Sequence, residues 1–501
     1  MKKFKLLLAA FVATLFAFVG GNAFADGATY SLTIKGTHVG HTYEAYQVFG
    51  GDLYKGDGAT TPTLSNIDWG KGVNAFTYDG ESDAAKIAEK LSGQAFDSET
   101  AKDFAKEASK HLATAATSEE STSDTVELTV DAPGYYLVKD KDGSQDSKNG
   151  AYTRFMLQVT GAESVEVKND VPTVQKKVKE NSNSEWQDAA DYDMGDTVPF
   201  QLTAELPKKR VDDYNHYYVE FTDTLSAGLT FKEITKVTAD GTTLTKDQYQ
   251  VTTTEKDGKT VLSIVITDVK AVANITQEEN KVVVEYNATL NDKAVLGSAG
   301  NPNSVELTYS NNPNATGDGT SKPADTGKTP KDTVKVFTYQ TIINKLNENK
   351  EALKGAEFTL VKKNKDGSTK NVDVVKNAEG TSFTFKGLDA GNYVLEETKT
   401  PDGYNTIKPI KFTINAKYDV ESADPQLTEL LTNVTSGDVK SDDFKSNLSD
   451  GSLTVGIVNR KGSLLPSTGG MGTTILYVIG SILVLVAAVL LITKKRMDAA
   501  K

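Results

Sequence analysis

Apolar and polar residues alternate with a period of two through much of this chain, as in Tyr152 to Val159, Val198 to Leu206, Tyr217 to Phe221, Lys281 to Ala288 and Ser304 to Ser310. Gly, Asn and Asp punctuate these runs, which is the pattern of strands with one buried and one solvated face. The expectation is a mainly β chain of antiparallel sandwiches. One region departs from it. Asp83 to Leu91 and Ser98 to about Leu112 are rich in Ala, Lys and Glu, with apolar residues at helical spacing, so the first part of the chain reads as a strand domain with a helical insertion. A Gly, Pro, Asn, Asp and Thr-rich stretch, Asn311 to Asp332, reads as a loop or linker. The two ends are different again. Lys2, Lys3 and Lys5 precede an apolar stretch from Leu6 to Val19 and then Ala23-Phe24-Ala25, the plan of a secretory signal peptide, which places the mature start near Asp26. At the other end an uncharged run from Met471 to Thr493 is long enough to cross a bilayer, and Lys494-Lys495-Arg496 sets the cytoplasmic side.

Strand parity then brings up a question of buried charge. Phe337, Tyr339, Thr341, Ile343 and Lys345 share one face, as do Tyr393, Leu395 and Glu397, and as do Leu453, Val455, Ile457 and Asn459. A lysine, a glutamate and an asparagine therefore each lie on the apolar side of a separate strand. Burying any of them uncompensated costs several kcal/mol, so the three need a common explanation. Two fit: a hydrogen-bonded polar cluster, or an intramolecular isopeptide bond. Burial favours a neutral amine and a protonated acid, so the amine can attack a carboxamide that the acid polarises, with ammonia leaving.

Composition narrows the function classes. Removing both processed ends leaves residues 26 to 468, or 443 residues, with 48 basic and 67 acidic side chains and a net charge of −19. Nucleic acid and anionic lipid are poor partners for such a surface. There is no cysteine, which excludes disulfides and thiol nucleophiles, and only four histidines are present. His38 and His41 have no third ligand at a recognised spacing, so they read as surface or turn residues and no metal or cofactor is expected. No Ser, His and Asp arrangement or phosphate loop marks an enzyme.

Several motifs resemble one family. Leu465-Pro466-Ser467-Thr468-Gly469, followed by the apolar span and basic tail, is similar to the LPxTG sorting signal of Gram-positive surface proteins, in which sortase cuts between the residues that are Thr468 and Gly469 here. Asn344-Lys345-Leu346, Leu353 to Phe358, Tyr393 to Tyr404 and Val458-Asn459 resemble the collagen-adhesin B-type domain of sortase-assembled pilins. By that resemblance Lys345 bonds Asn459 and Glu397 promotes the reaction, while Glu396 has the opposite parity and faces out. Asp191 to Val198, Phe221 to Thr230 and Asn303 to Pro313 resemble the isopeptide-forming second domain of fimbrial proteins, which implies Lys176, Asp223 and Asn303 as its set. Parity turns Lys177 and Lys179 outward.

Gly40 to Gly51 and Ala132 to Val138 resemble the N-terminal domain of the same pilins, without a matching crosslink set. In backbone pilins a junction lysine, usually within Tyr-Pro-Lys, supplies the amine for polymerisation. Lys168 occupies that junction, without the Tyr-Pro pair. The chain is thus expected to contain a signal peptide (1–25), three immunoglobulin-like β-sandwich modules (26–170, 171–335 and 336–464) and a sorting region (465–501). The resemblance implies a structural subunit of a covalent surface pilus rather than an enzyme. Its expected partners are identical subunits head to tail, accessory pilins, pilin and housekeeping sortases, and peptidoglycan; a host surface ligand is a further candidate. The alternative is an adhesin anchored singly to the wall or carried as an accessory pilin.

Overall fold

The computed structural model describes residues 29–37, 39–54, 63–95, 98–144, 150–167, 171–207, 211–273, 280–313, 315–462 and 471–498. The signal region, His38, Lys168 and Leu465 to Gly469 lie outside the described residues. The chain is mostly β, built as successive pairs of packed sheets.

In the first pair the long Thr42–Tyr54 strand lies between Thr63–Trp69 and Gly134–Asp140, with Arg154–Val159 beyond the latter, and also pairs with Thr117–Glu120. A three-stranded sheet of Thr125–Val130, Tyr30–Lys35 and Glu163–Glu166 belongs to the same module. Leu32, Ile34, Leu128, Tyr136 and Val138 share one core. Val48, Phe49, Leu137 and Met156 share a second one with Ile87 and Phe104 of the helices Ala84–Leu91 and Glu99–Ala108. Both faces of the sheet are therefore covered. Tyr136, Leu137 and Val138 are consequently all buried, where a strand solvated on one face would alternate.

Asp83 and Ser98 cap the two helices, accepting from Ala85 and Lys86 N–H and from Ala101 N–H respectively. The second helix ends at Ala108, four residues before the expected Leu112, because Leu112 bridges Val73 and the Ala113 N–H bonds the Gly72 carbonyl. His41, expected as a surface or turn residue, is buried instead. His41 is 1% exposed, with Nδ1 at 3.2 Å from the buried Asp140 carboxylate, which also accepts from the Thr153 backbone and hydroxyl.

The middle pair of sheets is larger. One sheet runs Trp186–Gln187, Thr173–Lys179, Thr197–Glu205, Lys281–Leu290, Leu229–Ala239 and Thr242–Thr243. The other runs Ala189–Asp191, Asp332–Phe337, Asn301–Ser310, Val219–Leu225, Lys259–Ile266 and Gln250–Lys256, with Thr326–Lys328 also paired on Asn301–Ser310. Alternation is clean here: Val282, Val284, Tyr286, Ala288 and Leu290 are buried and the residues between them are not. The last module pairs a sheet containing Tyr339–Leu346 and Ser452–Val458 with one containing Glu357–Lys363, Gly391–Lys399 and Ile410–Tyr418.

Residue 335, the expected boundary, falls inside the Asp332–Phe337 strand, which pairs with Asn301–Ser310 of the middle module. The change of sheet comes three residues later, at Thr338. The reason is that Ala189–Asp191 pairs in parallel with Lys335–Phe337 and holds that strand in the middle module. The same junction brings backbones into close contact: a Cβ on Gly387, at φ +74°, would meet Met194 Cβ at 2.4 Å. At the C-terminus Met471–Asp498 is one 28-residue helix. Its Ile475–Arg496 part is long and apolar enough to cross a membrane, at roughly 1.5 Å per residue against a hydrocarbon core of roughly 30 Å. Lys495 and Arg496 lie in its last turn, where cations suit the helix dipole.

Candidate functional site

Two buried polar clusters stand out in the middle and last modules. In the middle module Lys176 comes from the Thr173–Lys179 strand, while Asp223 and Asn303 come from neighbouring strands of the opposite sheet. Asp223 faces Val305 across that pair and Asn303 faces Leu225, so the carboxylate and carboxamide are diagonal neighbours on the inner face. All three side chains have zero exposure. Lys176 Nζ donates to both Asp223 oxygens, at 2.7 and 2.8 Å. Burial drives the Lys176 ammonium down from its ordinary value and the Asp223 carboxyl up. The two shifts point the same way, toward moving the proton from nitrogen to oxygen and leaving a neutral amine beside a neutral acid.

A fourth residue, absent from the sequence expectation, completes this cluster. The Tyr286 hydroxyl donates to Asp223 Oδ2 and accepts from Lys176 Nζ at 3.0 Å and from Asn303 Nδ2 at 2.6 Å. Its ring stacks on Phe200 at 5.3 Å, and Lys176 Nζ lies 5.0 and 5.1 Å from the two ring centres. Parity on the Lys281–Leu290 strand already turns Tyr286 inward. An inward tyrosine is an ordinary core residue, so only the meeting of two sheets reveals the contact.

In the last module Lys345 and Asn459 belong to one sheet, where Tyr339–Leu346 and Ser452–Val458 run in parallel with Lys345 opposite Ile457. The Asn459 N–H continues that ladder to the Leu346 carbonyl at 3.0 Å. Glu397 enters from the facing sheet and accepts from Asn459 Nδ2 through both oxygens, at 2.9 and 3.0 Å. The Ile407 N–H, at 3.1 Å, holds the same carboxylate. Lys345 Nζ donates to the Ile457 and Leu346 carbonyls, at 2.9 and 3.3 Å, and burial pushes its amine down to about 8, with Glu397 opposing. Glu396 is exposed.

In both clusters the asparagine Oδ1 is buried without a hydrogen-bond partner. A buried unsatisfied acceptor costs about 1–3 kcal/mol, and a purely structural cluster has no reason to leave the same atom unpaired twice. What the arrangement can do is attack: an amine whose proton burial loosens, a carboxamide and a carboxyl group share each site. The middle set would tie one sheet to the other; the last would tie two adjacent strands of one sheet.

If Lys168 is not the polymerisation amine, Lys139, Lys177 and Lys179 are the nearby alternatives, and Lys139 is 7% exposed and pairs with Asp142 at 2.6 Å. Lys177 pairs with Asp188 at 2.6 Å, and Lys179 lies 5.6 Å from the Trp186 ring centre. Carboxylate oxygens of Asp193, Asp196 and Asp389 come within 4.8 Å of one another. Lys362 already pairs with Asp193 and Asp389, and Lys370 with Asp196 at 2.9 Å, so ammonium groups take the place a cation would fill.

A family model for the Gram-positive pilin backbone subunit 2, Cna-B-like domain matches residues 194–313, and one for the SpaA prealbumin-like fold domain matches residues 340–426. The trypsin-resistant surface T6 protein of Streptococcus pyogenes serotype M6 is 26% identical over 389 residues, which span 66% of this chain and 70% of that protein. The solved T6 backbone pilin of serotype M6 Streptococcus pyogenes, described as a modular three-domain structure decorated with variable loops and extensions, shares the fold. It matches with a TM-score of 0.54 at 19% identity, covering 88% of this chain and all of that one.

Proposed function

We propose that the chain is a Gram-positive major pilin, the backbone subunit of a covalently polymerised pilus, hardened from within by two autocatalytic isopeptide bonds. The observation that carries this reading is the pair of buried lysine, acid and asparagine clusters, each with an unpaired amide oxygen. Lys176 attacks the Asn303 carboxamide with Asp223 as the acid, and Lys345 attacks Asn459 with Glu397 as the acid. Each bond forms once and releases one ammonia, so the protein is a structural element and turns over no substrate. The modules are 26–170, 171 to about 338, and from there to 464. After export, sortase cuts between Thr468 and Gly469 and passes the Thr468 acyl group to Lys168 of another copy, or to peptidoglycan at the base.

A subunit joined through a lysine at the end of its first module and a threonine after its third grows head to tail into an open fibre. The Ile475–Arg496 helix fits the membrane stop that holds the precursor for cleavage. Two measurements test the reading. The intact mass of the folded chain should fall short of its sequence by two ammonia molecules. Cell-wall extracts on a denaturing gel should give a ladder; a single band would point to a lone anchored adhesin instead.

A further inference from the structure

The two acids reach their asparagines differently. Glu397 holds Asn459 Nδ2 directly through both oxygens. Asp223, one methylene shorter, spends its oxygens on Lys176 and Tyr286, and it is the Tyr286 hydroxyl that holds Asn303 Nδ2. One buried oxygen thus touches both the nitrogen that must lose a proton and the nitrogen that must gain one. We propose that Tyr286 is a catalytic residue of the middle crosslink, relaying a proton from Lys176 Nζ to Asn303 Nδ2. This rests on the isopeptide reading of that module and adds a participant to it.

The step balances. Asp223 first takes one proton from the Lys176 ammonium. The neutral acid then donates to the Tyr286 oxygen, which frees the phenol proton to turn toward Asn303 Nδ2. The Nζ lone pair attacks the Asn303 carbonyl carbon and a C–N bond forms. As the C–Nδ2 bond breaks, the phenol proton passes to Nδ2 while the phenol oxygen takes a proton from Nζ. The products are a secondary amide with one N–H, a restored phenol, a protonated Asp223, and ammonia carrying two amide hydrogens and the relayed proton. Burial raises the Tyr286 phenol well above its ordinary value, so it stays protonated and starts the relay as a donor. The ring is fixed by Phe200 and has zero exposure, so the hydroxyl is pre-positioned and water does not compete for the proton.

The test uses the full chain, made by cell-free translation into detergent and quenched in acid at intervals. Mass spectrometry of the proteolysed samples counts the Lys176–Asn303 and Lys345–Asn459 linked peptides separately. In the wild type both linked peptides should accumulate. In Tyr286→Phe, which keeps the ring, the middle linkage should form on the order of 100-fold or more slowly, a typical general acid–base contribution, while the last-module linkage keeps its wild-type rate. A wild-type rate for the middle linkage in Tyr286→Phe overturns the proposal. A wild type lacking the middle linkage overturns the isopeptide reading itself, which is a different result. Should Tyr286→Phe fail to fold, 3,5-difluorotyrosine at position 286 decides: a more acidic phenol should shift the pH profile of the middle linkage downward, and an unmoved profile overturns the relay.

Discussion

Glu397→Ala isolates the last-module crosslink. Lys345 and Asn459 are 114 positions apart (459 minus 345), and loop-closure entropy for a loop near that length is worth about 4.7 kcal/mol at 25 °C, less any native-state strain. Each kcal/mol moves the midpoint of a module this size by roughly 3–5 °C, so losing the bond should lower the last module's Tm by roughly 14–24 °C. The substitution also deprives the Ile407 N–H and Asn459 Nδ2 of their acceptor, which adds a cost unrelated to the bond. Glu397→Gln separates the two effects, because its amide oxygen still accepts from Ile407 but cannot carry the acid's proton. Intact mass should show one lost ammonia in both variants against two in the wild type, and calorimetry should show the drop in the Gln variant too. Two lost ammonias in Glu397→Gln would refute the acid's role. An unlinked variant that melts with the wild type would refute the entropic argument.

Three more expectations follow from the same geometry. With both bonds in place, residues 177–302 and 346–458 leave the load path, so single-molecule pulling should draw at most about 140 Å from the 41 residues between Asn303 and Lys345; an extension near 400 Å from either module contradicts the connectivity. Lys168→Ala should abolish the high-mass ladder while leaving monomer folded and wall-attached; an unchanged ladder moves the role to Lys177 or Lys179, ahead of the buried Lys139. At the junction of the last two modules, burial and Asp193 raise Asp389 from 3.8 to about 6, and burial with Glu180 and Asp389 raises Asp191. Folded carboxyls with raised pKa values hold protons that the unfolded chain has released, so their contribution weakens as pH rises through that window. Wild-type stability should therefore fall relative to Asp389→Asn between about pH 4 and pH 6, followed by thermal unfolding; a difference that is flat or of opposite sign rejects the assignment.

Much of this protein was legible in one dimension because it rests on local rules. Period-two alternation marked the strands, and apolar residues at helical spacing marked the two helices from Asp83 and Ser98 onward. Parity turned Lys345, Glu397 and Asn459 toward the core and Glu396, Lys177 and Lys179 away, since side-chain direction in a strand depends only on position along it, while the motif resemblance named Lys176, Asp223 and Asn303. The uncharged C-terminal run and its basic tail needed nothing but length and composition.

What parity could not supply is which inward groups meet, because that depends on strand order and on how one sheet faces another. Tyr286 reads as one more core residue until the packed sheets set its hydroxyl among Lys176, Asp223 and Asn303. His41 read as a surface or turn residue until Asp140, 99 positions away, came to bond it in the core. The Glu180, Asp191, Asp193, Asp389 and Lys362 junction is likewise invisible in sequence, since its members come from two modules that meet only in the folded chain, where Met194 N–H bonds the Gly387 carbonyl, Lys362 pairs with Asp193 and Tyr418 bonds Glu180. Face and period are properties of a strand and are written locally; proximity, and with it every pKa shift and every bond that could form, belongs to the folded sheets.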